Sequence, residues 1–366
     1  MSHAPTYEQI PVASARAFVR HFVRFVLILL AGVAGANVIV NPVGLYPTRV
    51  FSTMVMNSRE RKMVLLSSLP EKPDTIVLGS SRSMQVSPRL LKTLTGKSAF
   101  NFAVDSARAE DYYASFRWLV EVADVHPQLV IVGVDVEAFH NGILPDDRLL
   151  MLPELSRYLA HDETRRAAVA NLPRLLSEQQ TWQTALSLTR ASWRMALVLL
   201  GKRRAGQGAE DPNSSHFEPD GYLRYDQLER ERTAGTFDLS KHIDASIHEY
   251  TQRYGGYNAL SRDREDYFEH FLAYARTQNT TVVLYLTPLH ERVLKALRAM
   301  NYDVLKQAVV ASVTRAALRN GASFVDFSTV DRFGGDPAGF WDGGHCDDRN
   351  CAIITTRLVR SGHAVQ

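Results

Sequence analysis

Cysteine is nearly absent, with two in 366 residues. That excludes a disulfide-built scaffold and a zinc module of four cysteines, and leaves room for one disulfide at most. Charge of one sign is scarce too. The 42 basic and 39 acidic side chains leave a formal net charge of +3, too weak a field to argue for a nucleic-acid partner. Repeats and low-complexity tracts are missing, which excludes solenoid, collagen-like and disordered chains. With 45% hydrophobic and 22% charged residues, the composition is that of a folded chain, long enough for one large domain or two small ones. Long apolar runs are missing as well, with one exception.

That exception follows the basic residues Arg16, Arg20 and Arg24: Phe25 to Val40 carries no charge and only Asn37 as a polar interruption. With its flanks it makes roughly 20 residues, enough for one helical crossing of a bilayer about 30 Å thick. The arginines precede the run and only Arg49 follows closely, so the positive-inside rule places residues 1–21 in the cytoplasm, an anchor over 22–45, and residues 46–366 outside. Asn41-Pro42 makes a natural helix exit. A cleavable signal peptide remains open, since Ala34-Gly35-Ala36 resembles a cleavage site.

Beyond the anchor, five short apolar runs read as buried strands: Thr75–Leu78, Ala99–Ala103, Leu129–Val136, Thr281–Leu286 and Ser323–Phe327. They alternate with helical patterns at Ala107–Asp124, Asp263–Thr277 and Tyr302–Arg319, the signature of a parallel sheet covered by helices on both faces. The expectation is a three-layer α/β domain. About 140 residues separate the third and fourth runs, far more than a crossover needs. We read an insertion over about 141–260, mostly helical at Leu149–Leu159, Glu163–Leu176 and Glu178–Leu200, with a polar loop from Gly201 to Gly221. It serves either as a lid or docking surface or as padding for the core.

Two segments carry chemistry. The first strand runs into Gly79-Ser80-Ser81-Arg82-Ser83; ligands bind at the carboxyl ends of parallel strands, and a serine opening a helical turn has backbone N–H groups nearby to hold an oxyanion. Serine in this place is also an ordinary helix cap. The second segment is Trp341-Asp342-Gly343-Gly344-His345. A histidine base needs a carboxylate to fix its tautomer, and a glycine-rich turn lets Asp342 reach His345 locally.

These motifs resemble the SGNH (GDSL-like) hydrolase superfamily, in its membrane-anchored extracytoplasmic branch. Gly79-Ser80-Ser81 is similar to the family's Gly-Asp-Ser block, which implies Ser81 as nucleophile, with Ser80 as the neighbouring alternative. Asn101 to Ala107 resembles the second block, with Ser106 where glycine is usual. Gly133-Val134-Asp135 occupies the third, with aspartate instead of asparagine, and Asp342 with His345 matches Asp-x-x-His fully. An ionised Asp135 cannot donate to an oxyanion as asparagine would. The resemblance implies an SGNH-like, flavodoxin-like five-stranded sheet, no cofactor, and catalysis by Ser81, His345 and Asp342. Gly-Ser-Ser is similar to the teichoic-acid D-alanyl transfer proteins, and the layout to alginate and cellulose O-acetylation proteins. It implies a bacterial plasma-membrane protein facing the periplasm, an acyl donor, a cell-envelope glycan acceptor, and a polytopic membrane-bound O-acyltransferase as partner. An enzyme transferring or removing O-acyl groups and a non-catalytic docking or glycan-binding subunit are the two roles it offers.

Further candidates surround these blocks. Cys346 and Cys351 could close a disulfide loop after His345 in an oxidising compartment; their spacing fits no standard zinc pattern. His290, Arg82 and Asp105 are candidate substrate contacts, each with a structural alternative as loop residue, surface arginine or helix cap. Trp341, beside Asp342, is a candidate substrate contact, whereas Trp118, Trp182 and Trp193 read as core.

Overall fold

The computed structural model describes residues 12–42, 46, 50–51, 57–160, 165–166, 169, 172–199 and 215–363. The chain divides into two units, Met1–Met56 with Arg166–Gln207, and Asn57–Arg165 with Gly208–Gln366. The insertion is shared between the two, its middle in the unit with the N-terminal helix and its flanks in the other.

In the first unit the helix Val12–Val40 contains a 25-residue stretch Arg16–Val40 whose most apolar 18 residues have mean hydropathy 2.3. The helix begins before the expected anchor because the arginines continue it. It stops where Asn41 takes a left-handed φ of 46° and Pro42 removes a donor. A 3-10 turn Leu172–Leu176 and the helix Glu178–Leu199 pack against it. The expected segments Glu163–Leu176 and Gly201–Gly221 fall partly outside the described residues.

In the second unit, five strands form a parallel sheet: β1 (Thr75–Gly79), β2 (Ala99–Asn101), β3 (Leu129–Val134), β6 (Thr281–Leu286) and β7 (Ser323–Asp326), in the order β2-β1-β3-β6-β7. Two further short strands, β4 (His216–Phe217) and β5 (Leu223–Arg224), make an antiparallel ribbon within the insertion. Counting sheet strands alone the order is 2-1-3-4-5, the flavodoxin-like winding, whose switch point lies between β1 and β3. The central strands β1, β3 and β6 are largely apolar and buried because both faces are covered, whereas the edge strands β2 and β7 carry Asn101, Ser323 and Asp326. Ile76, Leu78, Val130, Val132 and Leu284 face one core with Tyr112, Phe116, Phe268 and Phe271. Val77, Ile131, Val283 and Tyr285 face the other, with Leu91, Ile354 and Leu358.

Helices Ala109–Glu121, Arg262–Thr277 and Tyr302–Asn320 cover the first face, and Pro88–Thr95 with Asp348–His363 the second. The insertion departs from its expected form. Pro153 breaks the expected helix Leu149–Leu159 into single turns at Asp147–Leu150 and Pro153–Ser156. The β4–β5 ribbon is followed in the chain by helices Asp226–Thr233 and Leu239–Arg253. Buried Lys62 fastens the ribbon to β2 by donating to the carbonyls of Asn101, at 2.6 Å, and of Gly221.

Candidate active site

The switch point delivers the serine turn. Gly79 has φ 140°, and a Cβ there would lie 2.9 Å from the Gly133 carbonyl oxygen on the neighbouring strand, so β1 and β3 close only around glycine. A 3-10 turn Ser81–Ser83 follows. Ser80 is 3% exposed; its hydroxyl caps the turn, accepting from the Arg82 N–H at 3.2 Å. Ser81, half-buried, points the other way, its Oγ 2.9 Å from His345 Nε2. Asn101 fixes the turn from β2, donating to the Ser83 and Val86 carbonyls at 2.8 and 2.9 Å.

The His345 loop is tight. Trp341 N–H donates to the His345 carbonyl at 2.8 Å, and Phe340 bridges Cys346. Asp342 Oδ2 lies 2.8 Å from His345 Nδ1, and its Oδ1 accepts from the Gly344 and His345 N–H groups at 2.7 and 2.8 Å. Burial alone would raise the Asp342 carboxyl; the facing imidazole and these N–H donors hold it down at about 2. Burial works against the His345 imidazolium, and the Asp342 carboxylate outweighs it, so His345 lies above its ordinary value. Two neighbours hold the loop in place: the Gly343 N–H donates to Ser246 Oγ at 3.0 Å, and the His290 N–H donates to the Gly343 carbonyl at 2.9 Å. A Cβ on Gly344 would collide with the Tyr250 hydroxyl.

The second block arrives by continued pairing. Phe102 donates to the Val77 carbonyl at 2.8 Å and Val104 to that of Gly79 at 2.9 Å, carrying Asp105 and Ser106 alongside the serine turn. Ser106 holds φ 53°, a left-handed conformation that costs a non-glycine residue about 1 kcal/mol or more. It stands where the resembled family has glycine. Among the described residues neither the Ser81 nor the Ser106 N–H has a hydrogen-bond acceptor, so both donors are available to an oxyanion. Asp105 faces Arg148 at 3.6 Å with its side chain 35% exposed.

Asp135 and Arg82 turn inward instead of toward a substrate. Arg82 is 7% exposed. Its Nε donates to the Tyr250 hydroxyl and its Nη1 to Thr287 Oγ1, both at 3.2 Å, while Nη2 meets Glu137. Asp135, 3% exposed, accepts from Thr287 Oγ1 at 2.5 Å and lies 3.3 Å from Arg82 Nη1. Burial and the neighbouring Glu137 raise the Asp135 carboxyl against the pull of Arg82. Glu137, despite burial, is lowered by Arg82. The expected oxyanion role of Asp135 and substrate role of Arg82 give way to a buried charge network beneath the serine turn, because desolvated charges satisfy one another before they face solvent.

Two other expectations are redirected. His290 caps the helix Glu291–Arg298, accepting from the Arg292 N–H at 3.2 Å, and its ring packs edge-on against Phe340 at 5.4 Å. Trp341 is 3% exposed; its Nε1 donates to Gln85 at 2.7 Å and Arg232 covers its face at 3.9 Å, so it forms wall rather than platform. Cys346 and Cys351 are buried thiols here, not a disulfide: Cys351 lies in the first turn of the helix Asp348–His363, its Sγ donating to the Cys346 carbonyl at 3.7 Å. Among the described residues no group of three or more His, Cys, Asp or Glu converges to hold a metal ion.

Sequence reasoning missed Tyr225, Ser246, Tyr250, Thr287 and Glu137. Tyr225, carried in by the ribbon, sets its ring edge-on to His345 at 6.2 Å. Only Glu137 left a signal, as a second acid two residues after Asp135 at the end of a buried strand.

No family model and no curated protein matches this chain. Among solved structures it is similar to a candidate acylhydrolase from Bacteroides fragilis, at 11% identity and a TM-score of 0.35, over 84% of this chain and 95% of that one.

Proposed function

We propose that this chain is a membrane-anchored serine acyltransferase or esterase that acts outside the cytoplasm on O-acyl groups of a cell-envelope glycan. The observation that carries this reading is the continuous path from Ser81 Oγ through His345 to Asp342, at 2.9 and 2.8 Å. His345 Nε2 takes the Ser81 proton as Oγ attacks the acyl carbonyl carbon, and the carbonyl oxygen collects the negative charge. The Ser81 and Ser106 N–H groups receive that charge. Asp342 holds the Nδ1 proton and stabilises the imidazolium. The imidazolium then protonates the departing alkoxide, leaving an acyl-serine. A sugar hydroxyl or water, giving its proton to His345, attacks that ester and regenerates Ser81.

The anchor reading rests on the apolar stretch Arg16–Val40. Retention rather than cleavage is supported by Asn37, just past the Ala34-Gly35-Ala36 site, whose side chain bonds Leu175, Thr181 and Thr184. The SGNH-like motif set and this layout support a polytopic O-acyltransferase as the supplier of acyl groups. Hydrolysis of p-nitrophenyl acetate by the full-length chain in detergent, with and without glycan fragments, tests the reading. It requires a rate that Ser81→Ala abolishes, and product esters with glycan present would identify a transferase. Equal rates for wild type and Ser81→Ala would leave the docking-subunit role.

A further inference from the structure

The inserted helix of the first unit buries a polar stripe. On Glu178–Leu199 the buried side chains among the described residues are polar: Gln180, Thr184 and Ser187 are 3%, 4% and 7% exposed. Their i, i+4, i+7 spacing makes one stripe. Outside, among exposed Gln179, Ala185 and Thr189, lie the large apolar Trp182 at 65% and Leu188 at 39% exposure, with Leu176 of the preceding turn at 48%. Water favours the reverse, whereas lipid leaves apolar side chains outward and makes small and polar residues the contact between helices.

Asn37 ties the pair together. It is fully buried within the otherwise apolar run Phe25–Val40 of the N-terminal helix, and donates to the Leu175 carbonyl at 2.8 Å and Thr181 Oγ1 at 3.1 Å. Its carbonyl accepts from Thr184 Oγ1 at 2.6 Å. All of its hydrogen-bonding groups are met by the inserted segment, as a polar side chain within a bilayer requires.

We infer that the inserted segment Leu172–Leu199 is a second membrane element, seated in the same bilayer as the N-terminal helix and presenting Trp182 and Leu188 to lipid. The inference rests on the anchor reading above. Lipid is the occupant because the exposed face adjoins, through Asn37, a helix whose own Phe22, Phe25 and Ile28 are 57%, 63% and 72% exposed. Since the segment leaves and re-enters the α/β unit, three chain connections rather than one would join that unit to the membrane.

Photolabelling tests this on the native full-length chain in phosphatidylcholine vesicles, with a lipid-soluble aryl diazirine and peptide mapping. The expected result is carbene adducts on Phe22–Leu30 and on Trp182 and Leu188, at least about fivefold above those on Val304 and Leu318, which are equally open at 66% and 76% exposure but lie in the α/β unit. Adducts on the N-terminal helix with Trp182 at the Val304 level would overturn the inference and leave the anchor intact. Adducts on neither would remove the anchor reading and the inference together. In Asn37→Ala the Trp182 adduct should fall severalfold while that on Phe25 persists; an unchanged Trp182 adduct would contradict the role given to Asn37.

Discussion

Ser81 Oγ stands 2.9 Å from His345 Nε2, although 264 positions separate the two residues in the chain. Ser80, one position away, is used differently: its hydroxyl caps the turn by accepting from the Arg82 N–H. The two serines therefore predict opposite phenotypes. Ser81→Ala should lower turnover by about 10⁴ or more. Ser80→Ala should keep turnover within about tenfold and lose about 1 kcal/mol of stability, as removal of a cap does. Initial rates and urea melts of both variants check this; loss of activity in Ser80→Ala alone would reverse the assignment.

The His345–Asp342 pair predicts a pH dependence with a definite sign. A base must be neutral, and Asp342 holds the imidazole above its ordinary value, so kcat/KM should rise with pH through an apparent pKa above that of a free histidine. Asp342→Asn should move the rise to lower pH and reduce kcat by about 10⁴. For stability, the raised histidine contributes fully below its unfolded value, and this is lost as pH climbs through the folded one. The Asp342 contribution is present above the unfolded carboxylate value and is lost as pH falls through about 2. A rate profile unmoved by Asp342→Asn would contradict the pairing.

Arg82 predicts a fold defect rather than a binding defect. Arg82→Met removes the cation shared by Asp135 and Glu137 and leaves two buried acids facing each other, a loss of about 3–5 kcal/mol. Because burial and Glu137 already raise the Asp135 carboxyl and the variant removes the Arg82 cation that opposes them, acid should protonate it more readily and restore part of the loss. Urea melts at neutral and mildly acidic pH measure this. A stably folded Arg82→Met with only a raised KM would return Arg82 to the substrate side.

Trp341 predicts a packing defect. With its ring between Arg232 and Tyr225 and its N–H on Gln85, Trp341→Ala should cost about 3–5 kcal/mol. Trp341→Phe should cost less and leave KM near wild type. A stable Trp341→Ala with KM raised tenfold would place substrate on the indole.

What the chain discloses divides along the range of the interactions. The five sheet strands were legible because each is short and centred on apolar or β-branched residues, and β6 matches its expected Thr281–Leu286 bounds. The expected second strand ran two residues long, since Phe102 and Val104 still bond β1 after the regular ladder ends. Asp342 and His345 were legible because their bond is local. The helix Leu239–Arg253 was not, since Ile243 and Tyr250 are its few buried large side chains among charged neighbours. No sequence period links Arg82 to Asp135 across 53 positions, so only the fold discloses that the two neutralise each other.

The central claim is an activated Ser81, and active-site labelling measures it most directly. Full-length chain in detergent would be treated with a fluorophosphonate and mapped by mass spectrometry, alongside Ser81→Ala and His345→Ala. The account predicts stoichiometric phosphonylation of Ser81 in the wild type, none in Ser81→Ala, and labelling slowed at least about a thousandfold in His345→Ala. Folded wild-type protein that takes no label, or Ser81→Ala that still takes it, would contradict the account.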